Sequence, residues 1–120
     1  MNLKALIDEY LIEIEVRRYT QKTIRGYRNN LNLFLCFCED VLGVEGIDNL
    51  TMASVRQFTK YMTAKGRKGT YINGLLKTIK SFLNYCREEG YTDIQTSQNF
   101  KWCKEEKPVI LSYTPADVRR

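Results

Sequence analysis

The sequence predicts an all-α domain of four helices, built as two helical hairpins packed across each other and followed by a C-terminal linker segment. Three observations predict it. Proline is absent before Pro108, and apolar residues recur at helical spacing throughout the preceding region, with no strand-like alternation longer than a few residues. The pattern also repeats at an offset of 48 positions. Ile24-Arg25-Gly26-Tyr27 answers Ile72-Asn73-Gly74-Leu75; Phe34, Leu35 and Cys38 answer Phe82, Leu83 and Cys86; Ile7, Tyr10 and Ile14 answer Val55, Phe58 and Met62. Two amphipathic helices sharing a period would give part of this correspondence. The paired glycines go beyond it.

The first helix is expected from about Leu3 to Arg18, with Leu3, Leu6, Ile7, Tyr10, Leu11 and Ile14 on one face. Thr20 is placed as the N-cap of the second, with Tyr19 and Ile24 spaced as a hydrophobic staple. That helix continues through Ile24, Tyr27, Leu31, Phe34, Leu35, Cys38 and Leu42, and Gly43 ends it. Thr51 caps the third, whose inward positions are Val55, Phe58 and Met62 and whose stop is Gly66. The fourth is expected from about Thr70 to Glu89 through Ile72, Leu75, Leu76, Ile79, Phe82, Leu83 and Cys86, closing at Gly90.

Composition bounds the function. A chain of 120 residues with 43% hydrophobic content fits one domain with a modest core. No apolar run resembles a signal peptide or approaches a bilayer span, so a soluble, cytoplasmic protein is expected. Cys36, Cys38, Cys86 and Cys103 form no C-x-x-C pair or disulfide framework. Histidine is absent, which argues against a zinc site and removes Ser-His and Cys-His nucleophile pairs. No glycine-rich phosphate loop is present either, so no cofactor is expected and the chain alone does not read as an enzyme.

Charge is distributed unevenly. Residues 1–50 hold six basic and eight acidic side chains; residues 51–107 hold eleven and five. From Asn49 to Arg87 there is no acid at all, against Arg56, Lys60, Lys65, Arg67, Lys68, Lys77, Lys80 and Arg87. A one-signed surface of this kind suits a phosphate-backbone partner, or else is a solvated face that maintains solubility.

Gly26 and Gly74 fall on the outward faces of the second and fourth helices, each near its start. A glycine inside a helix costs roughly 0.5–1 kcal/mol relative to alanine, so each position invites a partner that approaches the backbone closely. Lys22, Thr23, Arg25 and Asn29 surround Gly26; Thr70, Asn73, Lys77 and Lys80 surround Gly74; Arg67 and Lys68 precede the fourth helix. Lysine and arginine supply phosphate charge, asparagine and arginine suit base edges, and a helix N-terminus favours an anion. The first helix, with Asp8, Glu9, Glu13 and Glu15, is expected to face away from phosphate. Tyr71, Tyr85, Tyr91 and Trp102 could stack bases of a single strand, but read better as core-edge aromatics. An all-α protein-interaction adaptor remains the alternative to DNA binding.

Two stretches carry a family resemblance. Thr20-Gln21-Lys22-Thr23-Ile24-Arg25-Gly26-Tyr27 with Leu31 and Phe34 is similar to S-x-x-T-x-x-x-Y-x-x-x-L-x-x-F. Gly66 to Asn73, then Leu76, Lys80, Ser81 and Phe82 up to Glu88-Glu89-Gly90-Tyr91, is similar to T-x-N-x-x-L-x-x-L-K-x-F-F-x-Y ending in E-x-G. Together they resemble the N-terminal core-binding (SAM-like) domain of tyrosine recombinases, the phage-integrase and Xer-like family. Lys107-Pro108 and Leu111 to Val118 are similar to that family's linker and the L-T-x-x-E-V start of its catalytic domain, with Thr114 and Pro115 placed as N-cap and first helical residue. The expected division is therefore a core-binding domain over residues 1–107, then a linker and the start of a further domain over 108–120, in a chain cut from a longer protein. Asn99-Phe100 departs from the family's Asn-Pro.

The resemblance implies a half-clamp on double-stranded DNA beside a crossover site, using the second and fourth helices, with neighbouring recombinase protomers as further partners. It also implies that strand cutting and rejoining through a phosphotyrosyl link, without metal or cofactor, belong to the domain that would follow. No tyrosine in this chain is a nucleophile candidate.

Overall fold

The computed structural model describes residues 2–94 and 102–103. Among them are four α-helices: α1 (Leu3–Val16), α2 (Gln21–Phe37), α3 (Met52–Ala64) and α4 (Gly69–Glu88), with a π-helical turn at Cys38–Leu42 and a 3-10 turn at Ile47–Asn49. Each α-helix starts where a local acceptor or an extended residue permits it. The Asn2 side chain accepts from the Ala5 amide, Thr20 from the Thr23 amide, and Thr51 and Ser54 form a reciprocal capping box. Helices and their closures end at left-handed residues: Arg18 (φ 65°) after α1, Gly43 (φ 69°) after the π turn, Gly66 (φ 81°) after α3 and Gly90 (φ 81°) after α4.

The apolar stripes meet in one core. All six expected residues of α1 are buried, and α2 packs on both α1 and α4. Phe34, Phe58, Phe82, Leu31, Leu75 and Leu76 lie at its centre, fully enclosed. Burial pushes the Cys38 and Cys86 thiols up to about 12, so these cysteines act as small apolar groups rather than reactive thiolates.

The 48-residue repeat is structural. Exchanging each residue for its counterpart carries the Phe34–Phe58 ring pair (5.2 Å, 78°) onto Phe82–Tyr10 (5.7 Å, 67°). The same exchange carries Phe37–Phe58 (5.3 Å) onto Tyr85–Tyr10 (5.3 Å). Hydrogen bonds of the two interhelical turns correspond as well: Tyr19 N–H to Ile14 C=O with Arg67 to Met62, and Ile24 to Thr20 with Ile72 to Lys68. One contact maps onto itself. The Asn30 side-chain amide donates to the Thr78 hydroxyl at 3.0 Å, and these two residues are 48 apart. An approximate two-fold axis therefore passes beside Asn30 and Thr78, where α2 meets α4.

One feature departs from the expected plan. The second helix does not run regularly to Leu42: its last turn is π-helical, so the closing bond spans Val44 to Cys38, one residue longer than its counterpart Tyr91 to Cys86. The π turn absorbs a one-residue insertion relative to α4. Tyr19 is exposed and sets its ring edge on Tyr27 (6.0 Å, 73°).

The two hairpins are also tied by a polar contact. Glu9 on α1 accepts from the Tyr85 hydroxyl at 2.6 Å and the Tyr91 hydroxyl at 3.3 Å. Burial first, and then this carboxylate, hold the Tyr85 phenol well above its ordinary range. Tyr85 and Tyr91 thus hold α4 to α1, as structural aromatics.

Candidate nucleic-acid interface

Helix geometry distributes the twelve candidate residues over two similar surfaces. On the start of α2, Lys22, Arg25 and Asn29 are exposed, while Thr23 and Gly26 are half-buried. On the turn into α4 and along that helix, Arg67, Lys68, Thr70, Gly74 and Lys77 are exposed, while Asn73 and Lys80 are half-buried. An added Cβ at Gly26 or Gly74 would meet nothing within 4 Å, so the fold itself does not require either glycine.

The two helix starts differ in their caps. Thr20 covers the first amides of α2, and its hydroxyl donates to the Thr23 hydroxyl oxygen at 2.9 Å. Lys68, the counterpart of Thr20, caps α4 with no side-chain acceptor. The N-terminal amides of α4 are thus offered beside Arg67 and Lys68 without an internal side-chain acceptor at the cap. The Arg67 guanidinium lies 5.9 Å from the centre of the exposed Tyr71 ring.

Electrostatics separate this surface from the rest. Among the described residues the ion pairs are Lys4–Asp8 and Arg17–Glu13, both on α1 or its C-cap. None involves a cation of the Asn49–Arg87 segment. A second acid-free window runs from Val16 to Cys38, between Glu15 and Glu39, and carries Arg17, Arg18, Lys22, Arg25 and Arg28. Its counterpart at the 48-residue offset, Ala64 to Cys86, also carries five cations: Lys65, Arg67, Lys68, Lys77 and Lys80. Arg17, Arg18 and Arg28 were not among the sequence candidates. Counting charge over the first fifty residues together hid them behind the acids of α1; a shorter window finds them.

Two candidates have partners that the sequence did not indicate. The Asn73 side chain brackets the backbone of Cys103: its amide donates to the Cys103 carbonyl at 2.9 Å, and its oxygen accepts from the Cys103 N–H at 2.7 Å. Lys80 lies 5.7 Å from the centre of the half-exposed Trp102 ring. Residues 102–103 therefore lie along α4 at Asn73 and Lys80. Thr70, Gly74 and Lys77 on the same helix remain exposed.

The sequence model for the phage integrase N-terminal SAM-like domain matches residues 7–90. The chain belongs to that family. The matched span runs from α1 to the closure of α4 and contains every candidate residue. The tyrosine recombinase XerC of Oceanobacillus iheyensis is 25% identical over 108 residues, a match covering 89% of this chain and 35% of that protein. The chain thus spans about a third of the length of the curated relative it matches. No solved structure matches at a significant level. The motif similar to a linker and second-domain start, from Pro108 through Thr114, Pro115 and Val118, lies outside the described residues, as does Asn99-Phe100. No helix among the described residues is long and apolar enough to cross a membrane.

Proposed function

We propose that this domain is the DNA-binding half-clamp of a site-specific tyrosine recombinase, holding duplex DNA next to the crossover site through the N-terminal halves of α2 and α4. The observation that carries the reading is the coincidence of charge with open backbone. Each helix begins within an acid-free window of five cations and then presents a glycine with empty space in front of it. Membership of the integrase family supports the same reading.

In this arrangement Lys22, Arg25, Arg67, Lys68 and Lys77 neutralise phosphates, and the open start of α4 adds backbone N–H donors for one more. Gly26 and Gly74 let the sugar-phosphate chain or a base edge come against the helix. Asn29 and Arg25 are placed for base edges; Thr23 and Thr70 for phosphate oxygens. Asn73 and Lys80, which hold residues 102–103, border the contact. Cutting and rejoining of strands belong to a following domain, and the acidic α1 faces away from DNA. The protein works in the cytoplasm and needs no cofactor for this step.

The test is fluorescence anisotropy of a labelled duplex titrated with the protein at several salt concentrations. About six phosphate contacts give a slope of log affinity against log salt of roughly −5. Binding of a protein partner that persists at moderate salt, with no duplex binding at low salt, would instead favour the adaptor reading.

A further inference from the structure

The repeat relates the backbones of the two candidate surfaces as well as the core. The two-fold exchange that superposes the ring pairs also carries the α1–α2 turn onto the α3–α4 turn, placing Lys22 with Thr70, Gly26 with Gly74 and Asn29 with Lys77. The axis beside Asn30 and Thr78 therefore divides the candidate interface into two arms with corresponding backbones. Duplex DNA has the same kind of symmetry, because its antiparallel strands are exchanged by local dyads perpendicular to its axis. Two-fold proteins dock with their axis on such a dyad.

We propose that the internal two-fold of this single domain is laid on a local dyad of the duplex, so that the α2 arm contacts one strand and the α4 arm the other. This rests on the DNA-binding reading above and adds to it the division of strands between hairpins. The dimensions suit it. From Thr20 to Asn30, and from Lys68 to Thr78, each arm is ten residues of helix, about 15 Å. Each arm is thus longer than the width of a major groove, about 12 Å. Charge suits it too. Each window holds five cations, at differing positions on the two arms, so either arm carries charge for a strand of its own. Each arm carries its glycine at the same spacing before the Asn30–Thr78 contact, Gly26 on α2 and Gly74 on α4.

The experiment is a double cross-link that needs no cognate site. Gln21→Cys and Tyr71→Cys place thiols at the exposed starts of α2 and α4 without altering charge. Cys36→Ser and Cys103→Ser remove the two cysteines that are not fully buried. The protein is labelled with an azidophenacyl photo-cross-linker, bound to a short duplex whose strands carry different dyes, irradiated and run on a denaturing gel. Anisotropy on the same sample reports duplex binding. The proposal expects a species holding protein and both strands from the double variant, and single-strand species only from each single variant. A double variant that binds the duplex and cross-links efficiently, but joins only one strand per protein, overturns the two-strand arrangement and leaves DNA binding standing. Failure of the unlabelled wild-type protein to bind duplex at low salt removes the DNA reading itself, and this inference with it.

Discussion

The α1–α2 hairpin turns through Arg18 at φ 65°, and the α3–α4 hairpin turns at the same position through Gly66 at φ 81°. The turns carry the same hydrogen bonds, Arg18 to Glu15 beside Gly66 to Thr63, yet reach the same backbone with different residues. The rest of the comparison runs likewise. The first hairpin has a capped α2, an ion-paired α1 and an irregular final turn. The second has an α4 without a side-chain cap, no acid between its ends, and the Cys103 backbone held against it. The shared part is what core packing needs. The divergent part lies at the helix starts and closures and on the outer face of α4.

If the two halves are energetically equivalent, their central rings should be too. Phe34→Ala and Phe82→Ala are each expected to cost about 3–5 kcal/mol in denaturant unfolding, by lost burial and the cavity left behind. Costs that differ by more than about 2 kcal/mol would break the equivalence. Cys38 and Cys86 offer the same comparison through pH. Each thiol is raised from 9 to about 12 in the folded protein, so the folded state holds its proton more tightly than the unfolded chain. Stability is then full below pH 9 and falls as pH rises from 9 toward 12, and replacing either cysteine with alanine should flatten that fall by a similar amount. Ordinary tyrosine titration near 10, with Tyr10 and Tyr85 also raised, steepens the upper part of the same curve.

The turns and the outward glycines give smaller effects. Gly66→Ala places a Cβ on a left-handed residue and should destabilise by about 1 kcal/mol. Gly26→Ala and Gly74→Ala, in helical backbone with open space, should each raise stability by roughly 0.5–1 kcal/mol. If the duplex approaches these glycines, the same two changes weaken its binding. Stabilisation with unchanged binding would leave the glycines without a role in contact.

Most of the fold was legible because it is written in local signals. The buried face of α1, the caps at Thr20 and Thr51, and the stops at Gly43, Gly66 and Gly90 all follow from spacing and residue type. The π turn was not legible, because a one-residue insertion leaves the hydrophobic period almost unchanged. It emerges only when the two closures are aligned. Phe37 was missed as a core residue for a related reason: it lies just before that turn and packs on Phe58 and Tyr61, outside the stripe that a regular helix predicts. The Asn73–Cys103 contact could not be read at all, since its partner is backbone 30 residues away and backbone carries no sequence signal. Arg17, Arg18 and Arg28 were legible in principle and were lost to an overly wide count.

On the reading proposed above, the N-terminal halves of α2 and α4 form the DNA-facing surface. Duplex anisotropy at low salt for Lys68→Glu combined with Lys77→Glu, with helicity followed by circular dichroism, tests this first. Intact helicity, affinity reduced at least tenfold and a shallower salt slope are expected. Intact helicity with unchanged affinity and slope would contradict it.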